Sequence, residues 1–171
     1  MRSSVQGTHL ANDSPLSSHG RFGRLSYAAW TLISSLFFIM ACLALGFGIY
    51  QMSQRQVTPS SQFSLFMFFS IGSLYIFFLY YNFVFIVRRL HDRNQNGWLS
   101  LLYLVPLVNI IFMIYLLCAK GNERLNDFGP VRTTCAWERT LGWIYIILVP
   151  VGILIGLAAA LIIPEYQHYL Q

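Results

Sequence analysis

Four long apolar stretches without a charged residue constrain the fold of this chain more than any other feature. Each has at least 22 residues, and at about 1.5 Å of rise per residue such a helix exceeds the roughly 30 Å hydrocarbon core of a bilayer. Backbone amides in lipid must be satisfied within their own segment, which favours helix over strand. The sequence therefore predicts an all-α integral membrane protein with four apolar helical segments, residues 27–50, 63–87, 98–119 and 141–163.

Composition agrees with this prediction. Hydrophobic residues make up 56% of the chain and charged residues only 10%, against about 25% charged in ordinary soluble domains.

The first apolar run begins too late and is too long for a secretory signal peptide. Cys42 and Cys118 lie in apolar runs and only Cys135 lies in a polar loop, so the cysteines predict no disulfide framework.

The chain divides into three parts. Residues 1–19 are rich in Ser, Gly and Asn, which predicts a disordered tail because such a segment buries little apolar surface. Residues 20–131 hold the first three apolar runs and the most polar loops. Residues 132–171 add one further transmembrane helix and a short tail.

The distribution of Lys and Arg leaves two membrane layouts open. Three of these residues precede the first run, then one, three and four lie in the successive loops, and none follows the fourth run. If all four runs span with the N-terminus inside, six cations lie inside and five outside, which is almost no bias. If the third run enters the bilayer and returns, ten lie inside and one outside, which is the bias that the positive-inside rule expects.

Pro106 offers the third run a place to turn back. It lacks an amide donor and disrupts the helix, and Asn109 can satisfy the backbone groups that are freed. Against this hairpin, two halves of about 8 and 13 residues cross only part of the roughly 30 Å core, and a proline in a spanning helix is common. Both layouts place the N-terminus and residues 88–97 in the cytoplasm.

Polar residues flank the apolar runs in three short stretches, GRFGRLSYAAW, RRLHDRNQNGW and KGNERLNDFGP. In the second stretch, Asp92 lies three residues after Arg89 and four after Arg88, so a continuing helix would let it bridge either arginine. His91 and Asp92 could form an acid–base pair, but no nucleophile accompanies them. Further His, Cys or carboxylate ligands are not at metal-binding spacing, so no metal, cofactor or catalytic residue is predicted.

Together, in this order, the three stretches resemble the bacterial inner-membrane family catalogued as domain of unknown function 805. The most specific mark is Arg-Arg-Leu-His-Asp followed by Gly-Trp. A Gly-Arg-x-x-Arg opening precedes it, and an Asn-x-x-Gly-Pro-like signature follows it. The residues that form the candidate motif are Arg21, Arg24, Arg88, Arg89, His91, Asp92, Arg93, Gly97, Trp98, Asn126, Gly129 and Pro130. The resemblance implies a membrane location and brings no established reaction or ligand.

The leading functional interpretation is a non-enzymatic structural or regulatory protein of the bacterial inner membrane, with a cytoplasmic N-terminus. Its cytoplasmic basic motifs would contact anionic lipid headgroups or a protein partner, since cations near an anionic surface are attracted to it. The alternative is a subunit of a small transporter or channel. The net charge of +5 is interpreted as a topology signal rather than as nucleic-acid binding.

Small residues recur on one face of the fourth run. Gly152, Gly156 and Ala160 are four residues apart, a spacing that lets helices approach closely. The sequence predicts that they pack another helix of the same chain or, alternatively, that they form a homo-oligomer interface.

Overall fold

A computed structural model describes residue 14, residues 16–55 and residues 60–169, with side chains as far as residue 162. The predicted all-α fold is confirmed. The elements in chain order are α1 (Arg24–Gln54), α2 (Ser61–Asp92), a 3-10 helix η1 (Gly97–Leu104), α3 (Val108–Cys118) and α4 (Ala136–Tyr169). Most of the tail that was predicted to be disordered lies outside the described residues, and its last part forms a turn against α2.

Local signals in the sequence account for several helix boundaries. The Ser60 side chain accepts a hydrogen bond from the Phe63 amide and caps the start of α2, as serine commonly does. The α2 helix ends at Asp92, and Asn94 follows with a positive φ of 57°, a conformation that asparagine tolerates. The Asn96 side chain then accepts from the Trp98 amide and starts η1.

Within the described ranges, three helices are long and apolar enough to cross a membrane: Arg24–Gln54, Ser61–Asp92 and Ala136–Ile162. The α1 and α4 helices start side by side, since Ser26 on α1 donates a hydrogen bond to Glu138 on α4. The α2 helix ends at the same place, because the Phe22 amide, just before α1, donates to the Arg88 carbonyl. The α1 and α4 helices are therefore parallel, and α2 runs in the opposite direction.

The third apolar run is broken and folds back, as the hairpin layout predicts. Pro106 lies between η1 and α3, and the adjacent Leu107 has a positive φ of 67°. The two arms of the hairpin are η1 and α3, and each is only about 16 Å long at the rise per residue of its helix type. The α3 helix returns to the end of α2, where the Arg89 Nε donates to the Leu116 carbonyl at 2.8 Å. Plain spanning of this segment is therefore wrong.

These connections bring the polar segments of the chain together at one end of the helices. We call this end the polar face and define it as residues 20–24, 88–97 and 119–139. The main cluster of buried apolar residues lies next to it and includes Phe22, Phe85, Leu90 and Leu116. Toward the opposite end, the three long helices expose most of their large apolar side chains, as lipid-facing surfaces do.

Glycine packing between helices occurs at Gly142, outside the predicted set of small residues on α4. A Cβ added at Gly142 would lie 2.5 Å from the Leu25 carbonyl oxygen, so α4 and α1 approach there with their backbones. A Cβ at Gly152 or Gly156 would meet nothing within 4 Å, and Ala160 is exposed. The prediction that these three residues pack a helix of the same chain is therefore wrong, because α1 approaches α4 closely nearer to the polar face.

Candidate functional site

A buried carboxylate and two buried arginines lie at the centre of the polar face. Asp92 Oδ2 lies 2.5 Å from Nη1 of Arg89, one helical turn earlier, and Asp92 Oδ1 lies 3.0 Å from Nη2 of Arg21. Both arginine side chains are fully buried and that of Asp92 is 6% exposed. The predicted bridge from Asp92 to Arg89 is confirmed. The second partner, Arg21, is 71 residues away in sequence.

Arg21 also fixes the segment that follows α3. Its guanidinium donates to the carbonyl oxygens of Arg124 at 2.8 Å and Gly129 at 3.1 Å, and to that of Asn122. A guanidinium has five N–H donors in a rigid fork, so one residue can satisfy several carbonyls that no helix pairs. Arg21 therefore joins the beginning of α1, the end of α2 and residues 122–129.

Arg89 holds the end of the hairpin in the same way. It donates to the carbonyls of Leu116 at 2.8 Å and Phe22 at 3.3 Å, and to that of Ala119. The bonds to Leu116 and Ala119 occupy carbonyls at the end of α3, which lack partners within the helix. A Cβ added at Gly121 would overlap the Asp92 carboxylate, so the chain passes directly over the ion pairs.

Arg88 extends toward a different segment. Its Nη1 donates to the carbonyls of Ser14 at 2.7 Å and Ser17 at 3.3 Å, and its guanidinium lies 4.0 Å from the centre of the Phe22 ring. Its side chain is fully buried. The two neighbouring arginines therefore have separate roles: Arg89 secures the hairpin and Arg88 secures the residues before α1.

His91 and Asn126 meet on the outer side of this network. The His91 ring stacks on Phe128 with centroids 3.8 Å apart, and the Asn126 side chain donates to the His91 carbonyl at 2.8 Å. The Asn126 Oδ1 also accepts from the Phe128 amide. Gly129 has a φ of 111°, which favours glycine, and Pro130 follows on the surface. The second and third motif stretches thus form one unit.

A second buried carboxylate, Glu138, was missed in the sequence. Its oxygens accept two hydrogen bonds from Arg132, at 2.8 and 2.9 Å, and one from Trp30 Nε1 at 2.9 Å. Ser26 Oγ donates to it at 3.0 Å and the Cys135 amide at 3.2 Å. One signal was available: Glu138 is a single carboxylate at the start of an apolar run in a basic chain. Its partners on α1 could not be predicted from spacing.

Burial divides the predicted lipid-contact residues into two groups. Arg21, Arg88 and Arg89 are buried and make their contacts inside the protein, so the prediction that they contact headgroups is wrong. Arg93 is half-buried over the Tyr115 ring, and Gly97 is half-buried against Val87. Trp98 is 75% exposed at the start of η1. The exposed cations of the polar face are Arg24, Lys120, Arg124 and Arg139.

Lys120 differs from the buried arginines because its ion pair is exposed. It lies 2.7 Å from Glu123, and both side chains are more than 70% exposed. The hydrogen bond and the charge of Lys120 lower the pKa of the Glu123 carboxyl below its ordinary value. Water screens such pairs, so this contact does not anchor the fold as the Asp92 contacts do.

The ionisable groups at the centre of the polar face are engaged within the protein. The Asp92 carboxylate is occupied by two guanidinium groups, and the neighbouring His91 ring lies against Phe128. Among the residues that the structure describes, His, Cys, Asp and Glu form no group of three or more that could hold a metal ion.

Apolar helices of spanning length and polar segments gathered at one end define a multi-pass α-helical membrane protein. The chain belongs to the family described as "Protein of unknown function (DUF805)", which matches residues 15–130. Residues shared with two Escherichia coli K12 proteins support this. The chain is 40% identical over 43 residues to inner membrane protein YhaH and 33% identical over 43 residues to inner membrane protein YhaI. Each alignment covers 25% of this chain and 36% of the relative. No solved structure matches the chain significantly.

Proposed function

We propose that this protein is a non-enzymatic structural or regulatory component of the bacterial inner membrane, with its polar face in the cytoplasm and its exposed cations against anionic lipid headgroups. One observation carries the proposal: nine of the ten described Lys and Arg residues gather at one end of the helices. They are Arg21, Arg24, Arg88, Arg89, Arg93, Lys120, Arg124, Arg132 and Arg139, whereas Arg55 lies beyond the far end of α1. The description of the E. coli relatives as inner membrane proteins supports the location.

The hairpin supports the orientation. Because η1 and α3 return to the end of α2, residues 119–135 lie on the same side as the N-terminal residues of α1. Short loops rich in Lys and Arg remain in the cytoplasm, so this arrangement favours a cytoplasmic N-terminus. With three spans, the chain beyond α4 would then lie in the periplasm.

The buried network supports a scaffold role rather than catalysis. Arg21 and Arg89 draw the beginning of α1, the end of α2 and residues 116–129 into one surface. That surface keeps the remaining cations outward, where each Lys or Arg near an anionic membrane contributes about 1 kcal/mol. Trp98, which follows residues 88–97 of the polar face, and Trp137 within that face are both substantially exposed. Tryptophan is typical of the membrane interface.

The orientation can be tested with reporter fusions in bacteria. Alkaline phosphatase, which is active only after export, would be fused after residue 131, within residues 56–59, and after residue 171. We expect activity at the last two positions and none at the first. Activity after residue 131 without activity after residue 171 would overturn the orientation.

The headgroup contact can be tested with a charge variant and a matched control. Arg24→Gln combined with Arg139→Gln removes two exposed cations of the polar face, and Arg55→Gln removes a cation at the far end. Native mass spectrometry would measure retention of phosphatidylglycerol against phosphatidylcholine. We expect the double variant to bind phosphatidylglycerol about 30-fold more weakly, from about 1 kcal/mol per charge, and Arg55→Gln to bind as the wild type does. Unchanged lipid retention combined with loss of a co-purifying protein would indicate a protein partner instead.

A further inference from the structure

An apolar crevice separates α1 and α2 beside the polar face. Its walls include Trp30, Ser34 and Phe38 from α1 and Phe78 and Phe85 from α2, and its volume is about 340 Å³. The Phe38 and Phe78 rings stack across it with centroids 4.5 Å apart. This volume lies within the roughly 300–1,000 Å³ range of small-ligand sites. The crevice lies between two helices of membrane-spanning length, so its surroundings are hydrocarbon rather than water.

The polar end of the crevice is covered by Leu16, which lies in a turn before α1. Leu16 lines the crevice and lies between Ser14 and Ser17, whose carbonyls both accept hydrogen bonds from Arg88. Arg88 lies one helical turn beyond Phe85, which also lines the crevice. Arg88 therefore holds the N-terminal segment, here residues 14 and 16–17, across the top of the crevice, with Leu16 as its apolar contact. Leu16 lies in the wall of the crevice and leaves its volume unfilled.

The size and chemistry of the crevice select its occupant. The Phe38 and Phe78 rings stack against each other across the crevice, so a helix about 10–12 Å in diameter cannot enter between α1 and α2. Water is also unsuitable, because apolar cavities of this kind stay dry. A single hydrocarbon chain is narrow, apolar and abundant in the surrounding bilayer.

We infer that this crevice holds one acyl chain of a membrane phospholipid, and that the N-terminal segment fastened by Arg88 closes its polar end. The site depends on the walls of α1 and α2 and on Leu16. It requires neither a particular orientation in the membrane nor an anionic headgroup, so it goes beyond the proposed function and does not rest on it.

The test fills the crevice from one wall. Ser34 lines it and its hydroxyl bonds only within its own helix, to the Thr31 carbonyl, so Ser34→Leu adds volume there without removing a contact to another helix. Ser35→Leu adds the same volume one residue along, where the side chain does not line the crevice. Native mass spectrometry of protein purified in mild detergent counts the retained phospholipids. We expect Ser34→Leu to lose a lipid that the wild type and Ser35→Leu retain.

Trp30 supplies a second measurement at the site itself. A variant with Trp98, Trp137 and Trp143 changed to Phe leaves Trp30 as the one tryptophan, and phosphatidylcholine with bromine in the middle of one acyl chain quenches a tryptophan that it contacts. We expect strong quenching that Ser34→Leu removes and Ser35→Leu preserves. Leu16→Ala should speed the exchange of the brominated lipid, because it opens the polar end. Equal lipid retention and equal quenching in the two leucine variants would overturn the assignment. If the single-tryptophan protein does not fold, the lipid counts alone decide whether the crevice holds an acyl chain.

Discussion

The two ends of this molecule are built from different interactions. At the polar face, two buried carboxylates have buried or half-buried partners: Asp92 is bound by Arg21 and Arg89, and Glu138 by Arg132 and Trp30. Toward the far end, side chains such as Phe47, Phe68 and Leu161 are 62%, 72% and 76% exposed. Lipid provides no hydrophobic driving force for helices to associate, so polar contacts and close packing must hold them together. The comparison indicates that the polar face determines how the helices are arranged.

The largest effect is expected where a buried charge loses its partner. Asp92→Asn keeps the shape of the side chain but leaves the buried guanidinium groups of Arg21 and Arg89 without a counter-charge. Breaking a buried pair in this way costs about 3–5 kcal/mol. Thermal unfolding in detergent should show a large fall in the unfolding temperature.

Glu123→Gln is the matched control, because it removes a carboxylate of the polar face whose ion pair is exposed. We expect its unfolding temperature to stay close to that of the wild type. If the two variants unfold at the same temperature, burial of the Asp92 network is not what stabilises the polar face.

A smaller effect is expected at the close approach of α1 and α4. Gly142→Ala places a Cβ 2.5 Å from the Leu25 carbonyl oxygen, and the two backbones must separate to accept it. Overpacking of this kind costs about 1–3 kcal/mol. Gly46→Ala is the control, since a Cβ there meets nothing within 4 Å. Equal unfolding temperatures for both variants would contradict the close packing of these helices.

Much of the fold follows from local patterns that a sequence displays directly. Uninterrupted apolar runs predict the long helices, and Pro106 marks the break in the third run, because both depend on residues near each other in the chain. The charge distribution, taken with the positive-inside rule, favoured the hairpin that the structure shows.

The partners of the buried charges could not be predicted in the same way. Spacing along a helix predicts the pair of Arg89 and Asp92, which are three residues apart. It gives no information about Arg21 and Asp92, which are 71 residues apart, or about Trp30 and Glu138, which are 108 apart. Those contacts depend on which helix faces meet. The same limit explains why a small-residue pattern selected Gly152 when the close approach occurs at Gly142.

The smallest effect on stability is expected on the outer face of α4. A Cβ at Gly152 or Gly156 meets nothing within 4 Å, so Gly152→Ile combined with Gly156→Ile should leave the unfolding temperature of the monomer unchanged. The homo-oligomer predicted through this face concerns a different contact, between two copies of the chain, where small residues allow close approach and isoleucine prevents it. Crosslinking in native membranes should then show dimer for the wild type and less for the variant. A fall in the monomer's unfolding temperature would instead mean that this half of α4 packs within its own chain, and the contrast between the two ends of the molecule would not hold.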